Sequence, residues 1–298
     1  MRKGKYKDME RVVLESLGAS YKSIVSLGAA GKEETGEVNE FGNATYKADI
    51  EAGRAVLEVL RKSGIAARVI SEEHGKDIVL GTNPKYIVVL DELDGSIAYK
   101  KGKGMCGTMI GVFEGENPKY SDYVGSGILD YRERRCFLAS KESGVHIVDI
   151  ESGNKTKIRC SSNKKLDKEN TAISIDGWFP INLEIANKLK SFKKLFIGSP
   201  ENSGSSCKYY SDLISGKIDV VIECTRKRNL EIAAAYGLVR EAGGVMVDIL
   251  GRDLEKMSYL EFYQSDDKHF PIISAANSGI IRKLLGGINL SLLSAYYQ

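Results

Sequence analysis

Apolar residues recur at helical spacing in the first quarter of the chain. Within residues 6–27 they stand three or four positions apart, which predicts one long amphipathic helix. The same spacing within residues 45–64 predicts a second helix that ends near a glycine. Residues 28–42 between them are polar and rich in glycine, so we expect a mobile loop there.

Two predicted strands are followed directly by carboxylates. Residues 66–71 and residues 87–90 are short apolar runs with branched side chains, which is typical of buried strands. The acidic residues that follow them are Glu72, Glu73, Asp91, Glu92 and Asp94. Because unpaired carboxylates out of water are costly, we expect a positive charge at these strand ends. Gly95 and Ser96 then form a turn, and this arrangement suits a metal ion and a phosphate together; a polar surface turn is the alternative.

The rest of the chain mixes short apolar runs with helical patterns. Strands are predicted at residues 107–113, 125–130, 136–139, 145–148, 171–175, 194–197, 218–223, 245–248 and 272–275. Helices are predicted at residues 183–192, 207–214, 230–242 and 279–285. The helices and strands interleave irregularly, which favours an α+β fold over a regular βαβ series. We expect two domains, residues 1–155 and residues 156–298.

Composition excludes several classes of protein. With 43 Lys and Arg against 40 Asp and Glu, the 298-residue chain carries a net charge of +3, which argues against dedicated nucleic-acid binding. The five cysteines are scattered without a C-x-x-C motif, as expected for reduced thiols. The three histidines lack metal-ligand spacing. No apolar run is long enough to span a membrane and no signal peptide is evident, so we expect a cytoplasmic protein that binds no membrane.

The acidic motifs together resemble a known family of enzymes. The sequence Asp91-Glu-Leu-Asp-Gly-Ser96, the pair Glu72-Glu73, and Leu230-Glu-Ile-Ala-Ala234 followed by Ala242-Gly-Gly are similar to the signatures of the inositol monophosphatase / fructose-1,6-bisphosphatase superfamily. The spacing of Thr45 and Asp49 resembles that of archaeal-type dual members. The resemblance covers nearly the whole chain and implies a layered αβαβα sandwich of the sugar-phosphatase type.

The resemblance also implies a role for individual residues. The metals are expected on Glu72, Asp91, the Leu93 carbonyl, Asp94 and Glu231. The expected catalytic residues are Asp49, Glu72 and Ser96, of which Asp49 and Ser96 orient and deprotonate the attacking water. The expected substrate contacts are Gly95, Ser96, Gly204, Ser205, Ser206, Glu223 and Glu231. Two alternatives stay open: the serine loop is a helix N-cap, and Glu73 either supports a ligand or faces solvent.

Three residues depart from the family pattern. Glu92 stands where the family has proline, Leu230 where it has tryptophan, and Glu231 where it has aspartate. Mg²⁺ requires near-ideal octahedral geometry, so the longer Glu231 side chain is expected to shift the preference or requirement for the second metal. The basic run from Arg226 to Arg228 is interpreted as a solvated face, with a second phosphate as the alternative partner.

The chain is therefore predicted to be a phosphoric monoester hydrolase that depends on two or three Mg²⁺ ions, with Mn²⁺ as a possible substitute. Its expected substrate is a sugar or polyol phosphate, inositol 1-phosphate or fructose 1,6-bisphosphate, hydrolysed by attack of a metal-activated water. The alternatives are a 3′(2′),5′-bisphosphate nucleotidase and a non-catalytic homologue that binds a sugar phosphate. The resemblance also implies a homodimer.

Overall fold

The computed structural model describes residues 2–39, 42–74, 76–199, 204–261 and 269–287. Within these ranges the helices are α1 (Arg2–Leu27), α2 (Lys47–Lys62), α3 (Ser96–Lys101), α4 (Pro180–Leu189), α5 (Ser206–Ile214), α6 (Leu230–Glu241) and α7 (Ser278–Gly287). None of them is both long and apolar enough to cross a membrane.

The strands form three sheets. In chain order they are β1 (Glu34–Val38), β2 (Ala44–Tyr46), β3 (Ala67–Ser71), β4 (Ile78–Leu80), β5 (Tyr86–Asp94), β6 (Gly107–Glu114), β7 (Tyr123–Asp130), β8 (Arg135–Ser140), β9 (Gly144–Asp149), β10 (Lys155–Ile158), β11 (Ala172–Asp176), β12 (Lys194–Gly198), β13 (Val220–Cys224), β14 (Val245–Asp248) and β15 (Pro271–Ala275). β1 and β2 make a small antiparallel hairpin.

In the described residues the largest sheet has eight strands in the order β10-β9-β8-β7-β6-β5-β3-β4. β3 and β5 lie next to each other and run parallel, with Ser71 opposite Leu90. Their carboxyl ends therefore meet at one edge of the sheet, and the acidic residues that follow both strands are brought together as predicted. β10 continues this sheet across residue 155, where the two halves of the chain were expected to divide.

The second large sheet has five strands within the described ranges, in the order β12-β11-β13-β15-β14. β11 is parallel to both β12 and β13, whereas β15 runs antiparallel to β13 and β14. The carboxyl ends of β11 and β13 carry Asp176 and Glu223, so a second set of carboxylates collects at one edge of this sheet.

The layers follow the order helix, sheet, helix, sheet, helix. α1 and α2 cover one face of the eight-stranded sheet, α5 and α6 fill the space between the two sheets, and α4 and α7 pack on the five-stranded sheet. Between Glu231 in its first turn and Arg240 in its last, α6 is apolar on all sides because it is buried between two sheets. Close approach to β6 requires small residues: a Cβ on Gly111 would lie 2.9 Å from the Ala234 Cα. The α+β class and the αβαβα layering are confirmed.

Three expectations about local structure were wrong. Residues 28–42 are not a loop throughout, since a 3₁₀ helix (Gly28–Lys32) and β1 occupy much of that segment. β1 was missed because its five residues are all exposed and carry no alternation of apolar and polar side chains. The short strands β4 and β10 were missed because each is only three or four residues long, and β10 is in addition largely exposed.

Candidate active site

Asp91 lies near the end of β5, which continues past the apolar run into the acidic residues. The pairing with β6 is regular up to Asp91 and Met109 and is interrupted by a bulge before Asp94. Asp91 is buried, and its Oδ1 accepts a hydrogen bond from the Leu93 N–H at 3.1 Å. Burial and the neighbouring carboxylates, first Glu72, raise the pKa of Asp91 well above its ordinary value.

Glu72 and Glu73 follow β3 and are held by two side chains from the hairpin region. The Asn39 amide nitrogen donates to Glu72 Oε1 at 3.0 Å and to Glu73 Oε1 at 3.2 Å. The Thr45 hydroxyl donates to Glu73 Oε2 at 2.6 Å. Glu73 is therefore bonded into the site instead of facing solvent. Sequence reasoning missed Asn39 because it lies in a polar segment without a motif.

Asp49 stands in the first turn of α2 and accepts the Tyr46 N–H at 2.6 Å through Oδ2. This bond satisfies a backbone donor at the helix start. Burial, together with Glu73 and Glu92, nevertheless raises the pKa of Asp49 to about 8. A carboxyl group with this pKa exchanges protons near neutral pH, which is the property required of a general base.

Glu92 is 1% exposed and interacts with groups on α2 and around the end of β3. The Ser71 hydroxyl donates to its Oε1, the Glu72 N–H lies 3.3 Å from its Oε2, and His74 Nδ1 lies 3.7 Å from its Oε1. A Cβ on Gly53 of α2 would come within 2.8 Å of its Cγ. Glu92 therefore supports the backbone around Glu72, and proximity to Glu92 raises the pKa of His74.

Asp94 links the end of β5 to the second half of the chain. Its Oδ2 accepts the Cys207 N–H at 2.7 Å and its Oδ1 accepts the Ser206 N–H at 3.3 Å, both in the first turn of α5. A carboxylate is favourable at a helix N-terminus, where backbone N–H groups lack partners. Asp94 thus fixes α5 against the eight-stranded sheet.

The turn after Asp94 requires glycine. Gly95 has φ of +79°, and a Cβ there would lie 2.9 Å from the Met105 carbonyl oxygen. Ser96 begins α3, and its hydroxyl donates to the Leu93 carbonyl oxygen at 3.3 Å. In the described part of the chain, the side chains of Ser96 and Asp49 each form a hydrogen bond with a backbone group, and no hydrogen bond joins the two side chains.

Glu231 is in the first turn of α6 and faces Arg226. Arg226 Nη1 lies 3.5 Å from Glu231 Oε1, and its Nη2 lies 3.4 Å from Asp176 Oδ2. Arg228 is buried, and its Nη1 contacts the carbonyl oxygens of Ser71 and His74. The interpretation of this basic run as a solvated face was wrong for Arg226 and Arg228, because tertiary partners for both come from distant parts of the chain.

Glu223 and the serine loop lie at the end of β13 and the start of α5. The Ser206 hydroxyl donates to Glu223 Oε1, while Glu223 Oε2 has no partner in the described part of the chain. Burial raises the pKa of Glu223 to about 8. Ser205 is the N-cap of α5 and accepts the Lys208 N–H at 3.3 Å, so the N-cap alternative holds for this residue. Gly204 lies against Tyr209, where a Cβ would meet the hydroxyl at 2.4 Å.

The predicted residues thus come from seven elements or their ends and surround one region. Asp91 is influenced electrostatically by Glu72, Asp94 and Glu231, although Glu231 is 140 positions further along the chain. The atoms expected to bind the metal are all carboxylate or carbonyl oxygens, which are the ligands that Mg²⁺ prefers. In the described ranges no three acidic, histidine or cysteine side chains stand close enough to enclose an ion as they are placed.

Comparison with known proteins gives a consistent result. The sequence profile of the inositol monophosphatase family matches residues 10–279. A fructose-1,6-bisphosphatase/inositol-1-monophosphatase of Thermococcus kodakarensis is 26% identical over 260 residues, which covers 86% of this chain and 88% of that protein. A Nus factor SuhB of Xylella fastidiosa is 28% identical over 231 residues, covering 76% of this chain and 77% of that protein.

The fold is similar to that of solved structures at lower sequence identity. The crystal structure of the extragenic suppressor protein suhB from Bartonella henselae superimposes with a TM-score of 0.73 at 18% identity. The superposition covers 94% of this chain and 97% of that one. At this identity the comparison concerns the fold, and it accounts for the layered architecture described above.

Proposed function

Because this chain belongs to the inositol monophosphatase family, and is accordingly a phosphoric monoester hydrolase, we propose that it hydrolyses sugar or polyol phosphates with Mg²⁺. Inositol 1-phosphate and fructose 1,6-bisphosphate are the first substrates to test. The observation that carries the proposal is that Glu72, Asp91 and Glu231 lie within electrostatic range of one another. These residues follow or begin three different elements, and their charges oppose one another unless a cation is present.

The residues present fit a hard divalent cation. Glu72, Asp91, the Leu93 carbonyl, Asp94 and Glu231 would hold it, since each offers oxygen and the remaining lone pairs of Asp94 are available beside its two N–H bonds. When bound, Mg²⁺ neutralises phosphoryl oxygens and lowers the pKa of water. Asn39 and Glu92 would keep Glu72 in position through the contacts described above.

Proton transfer would fall to the residues around Asp49. Asp49 would accept a proton from the attacking water, since it lies beside Glu73 and Glu92 in the same acidic cluster. Ser96 would orient that water from the other side of the turn by exchanging its bond to the Leu93 carbonyl. The backbone N–H groups of Gly95 and Ser96 would contact the phosphate at the turn between β5 and α3.

The body of the substrate would extend towards the second sheet. Glu223 Oε2 is buried and has no partner among the described residues, so a substrate hydroxyl would satisfy it. Ser206, Gly204 and Glu231 border the same region, whereas Ser205 contributes chiefly by capping α5. The space beside Gly204 is limited by Tyr209, which would set the width available to a ring.

A phosphate-release assay with Mg²⁺ or Mn²⁺ tests the proposal. The wild-type chain and Asp91→Asn should be compared on sugar, inositol and nucleotide phosphates, the last to examine the bisphosphate nucleotidase alternative. We expect loss of at least about a thousandfold in kcat/KM for Asp91→Asn, because one oxygen ligand loses its charge. Asp149→Asn, at an exposed turn distant from the site, is the matched control and should retain activity. No release from any substrate by the wild type would refute the proposed function.

A further inference from the structure

Arg226 is held between carboxylates at the substrate end of the site. Its Nη2 lies 3.4 Å from Asp176 Oδ2 and its Nη1 lies 3.5 Å from Glu231 Oε1. Its side chain is 30% exposed, so it borders open space without projecting freely into solvent. Arginine commonly binds phosphate through its paired N–H groups, but here both ends of the guanidinium already face carboxylates.

Asp176 is the more firmly placed member of this pair. It ends β11, is 1% exposed, and its Oδ1 accepts the Trp178 N–H at 3.2 Å. The backbone carbonyl of Asp176 accepts the Asn182 side-chain N–H at 2.8 Å from α4. Because the carboxylate is buried, with its Oδ1 held by the Trp178 N–H and its backbone by Asn182, it would hold Arg226 whether or not Glu231 turns to a metal.

The charges at this end do not favour a second phosphate. Asp176, Glu223 and Glu231 contribute three acidic groups and Arg226 contributes one positive charge within the same cluster. Asp176 and Glu231 both face the single guanidinium of Arg226, so a second phosphate would have to compete with two carboxylates for that charge, at a penalty in binding. A neutral group meets no such penalty, and hydrogen-bonding capacity for it is present.

Several polar atoms in this cluster lack partners in the part of the chain that the structure describes. They are Glu223 Oε2, Arg226 Nε and the Tyr209 hydroxyl. Together they offer one carboxyl oxygen, one N–H donor and one hydroxyl that can donate or accept, which matches an array of hydroxyls. The Trp178 indole, 48% exposed with the Arg226 guanidinium 5.9 Å from its ring centre, offers a flat face to a carbon ring.

We propose that Asp176, by occupying Arg226, makes this enzyme selective for monophosphates with an uncharged, hydroxyl-bearing body over the corresponding bisphosphates. Asp176 acts here as a specificity-determining residue that works through Arg226. The inference rests on the proposed phosphatase function and narrows it, because fructose 1,6-bisphosphate becomes a poor substrate and inositol 1-phosphate a good one.

The test compares substrates that differ only in the second phosphate. The kcat/KM ratio is measured for inositol 1-phosphate against inositol 1,4-bisphosphate, and for fructose 1-phosphate against fructose 1,6-bisphosphate. We expect the wild type to favour the monophosphate by about tenfold or more. In Asp176→Asn, Arg226 is released to bind phosphate, and the ratio should move at least about fivefold towards the bisphosphate.

Two further variants keep the test decisive. Asp149→Asn removes an exposed carboxylate elsewhere and should leave the ratio unchanged. If Asp176→Asn does not fold, Arg226→Met supplies the answer, because loss of the positive charge should move the ratio further towards the monophosphate. A purely structural role for the pair would lower both rates in proportion.

The two proposals fail in different ways. Absence of phosphate release from every substrate overturns the proposed function. Hydrolysis of the monophosphate with an equal or greater kcat/KM for the bisphosphate overturns only the specificity inference. The same is true of a ratio that neither Asp176→Asn nor Arg226→Met changes.

Discussion

Arg228 Nη1 lies 3.2 Å from the carbonyl oxygen of His74, a residue 154 positions earlier in the chain. The same nitrogen lies 3.3 Å from the Ser71 carbonyl oxygen and 3.5 Å from Asp77 Oδ1. These contacts tie the segment after β3, which carries Glu72, to the segment before α6, which carries Glu231. The buried guanidinium of Arg228 therefore helps to set the distance between two proposed metal ligands, Glu72 and Glu231.

Arg228→Ala should lower stability and weaken metal binding together. The substitution leaves the carbonyl oxygens of Ser71 and His74 without their charged donor, whereas Asp77 keeps its ion pair with Arg68, and we expect a cost of about 2–4 kcal/mol of unfolding free energy. The Mg²⁺ concentration for half-maximal activity should rise by about tenfold, since Glu72 and Glu231 are no longer held at a fixed distance. Urea unfolding and a Mg²⁺ titration of activity measure the two effects.

A conservative variant separates position from charge in this interaction. Arg228→Lys keeps the charge but loses the planar fork, so it should recover part of the stability and little of the metal affinity. Arg134→Ala removes an exposed ion pair with Glu151 and should change neither. A normal Mg²⁺ requirement in a folded Arg228→Ala would contradict the positioning role.

Replacing Glu92 should affect the support of Glu72 before it affects chemistry. Glu92→Ala removes the carboxylate that accepts the buried Ser71 hydroxyl, leaving it His74 Nδ1 at 2.9 Å, and opens a cavity beside Gly53, at a cost of about 2–4 kcal/mol. Glu92→Gln keeps the volume and an acceptor oxygen, so it should cost less than half as much. Chemical unfolding in the presence of EDTA measures both values. Equal stability of wild type and Glu92→Ala would show that these contacts contribute nothing.

The contrast between Glu92 and Asp91 illustrates how much of the site could be predicted from the sequence. The acidic residues after β3 and β5 were recognisable because buried strands seldom end in carboxylates, and the parallel pairing of the two strands brings them together. The contacts of Glu92 could not be predicted from the sequence, because Ser71 and Gly53 become its neighbours only through sheet pairing and helix packing.

Arg226 and Arg228 show the same limit for charged residues. In the sequence they form a basic run of the kind that is usually solvated, whereas each finds a separate acidic or carbonyl partner in the fold. Two consecutive residues with positive φ, Arg228 at 61° and Asn229 at 47°, turn the chain so that the two guanidinium groups diverge. No local pattern predicts that conformation.

Glu223→Gln should change the pH dependence of stability in a defined direction. The pKa of Glu223 rises from its ordinary value of 4.5 to about 8, chiefly through burial. Between these values the folded protein keeps a proton that the unfolded chain releases, so this residue's contribution to stability is lost as pH rises from 4.5 to 8. Glutamine does not titrate. The free energy of unfolding of Glu223→Gln relative to that of the wild type should therefore increase by roughly a few kcal/mol between pH 5 and pH 8.5.

Thermal or urea unfolding of both proteins at pH 5, 6.5 and 8.5 in EDTA gives this difference. Glu58→Gln, on the exposed surface of α2, is a control whose difference from the wild type should not grow over the same interval. A difference between Glu223→Gln and the wild type that stays constant with pH would mean that Glu223 is ionised throughout.

Stabilisation by Mg²⁺ should increase with pH. In the metal-free protein, burial and mutual repulsion raise the pKa of Glu72 and Asp91 well above their ordinary values, so Mg²⁺ must displace protons that these carboxyl groups hold near neutral pH. Each tenfold tightening of the metal complex adds about 1.4 kcal/mol at saturating metal. The rise in melting temperature caused by Mg²⁺ should therefore be larger at pH 8 than at pH 6.

Calorimetric titration in two buffers of different ionisation enthalpy should detect the released protons, and Asp91→Asn should release fewer. A Mg²⁺-induced shift in melting temperature that is equal at both pH values would show that these two carboxyl groups are already ionised without the metal.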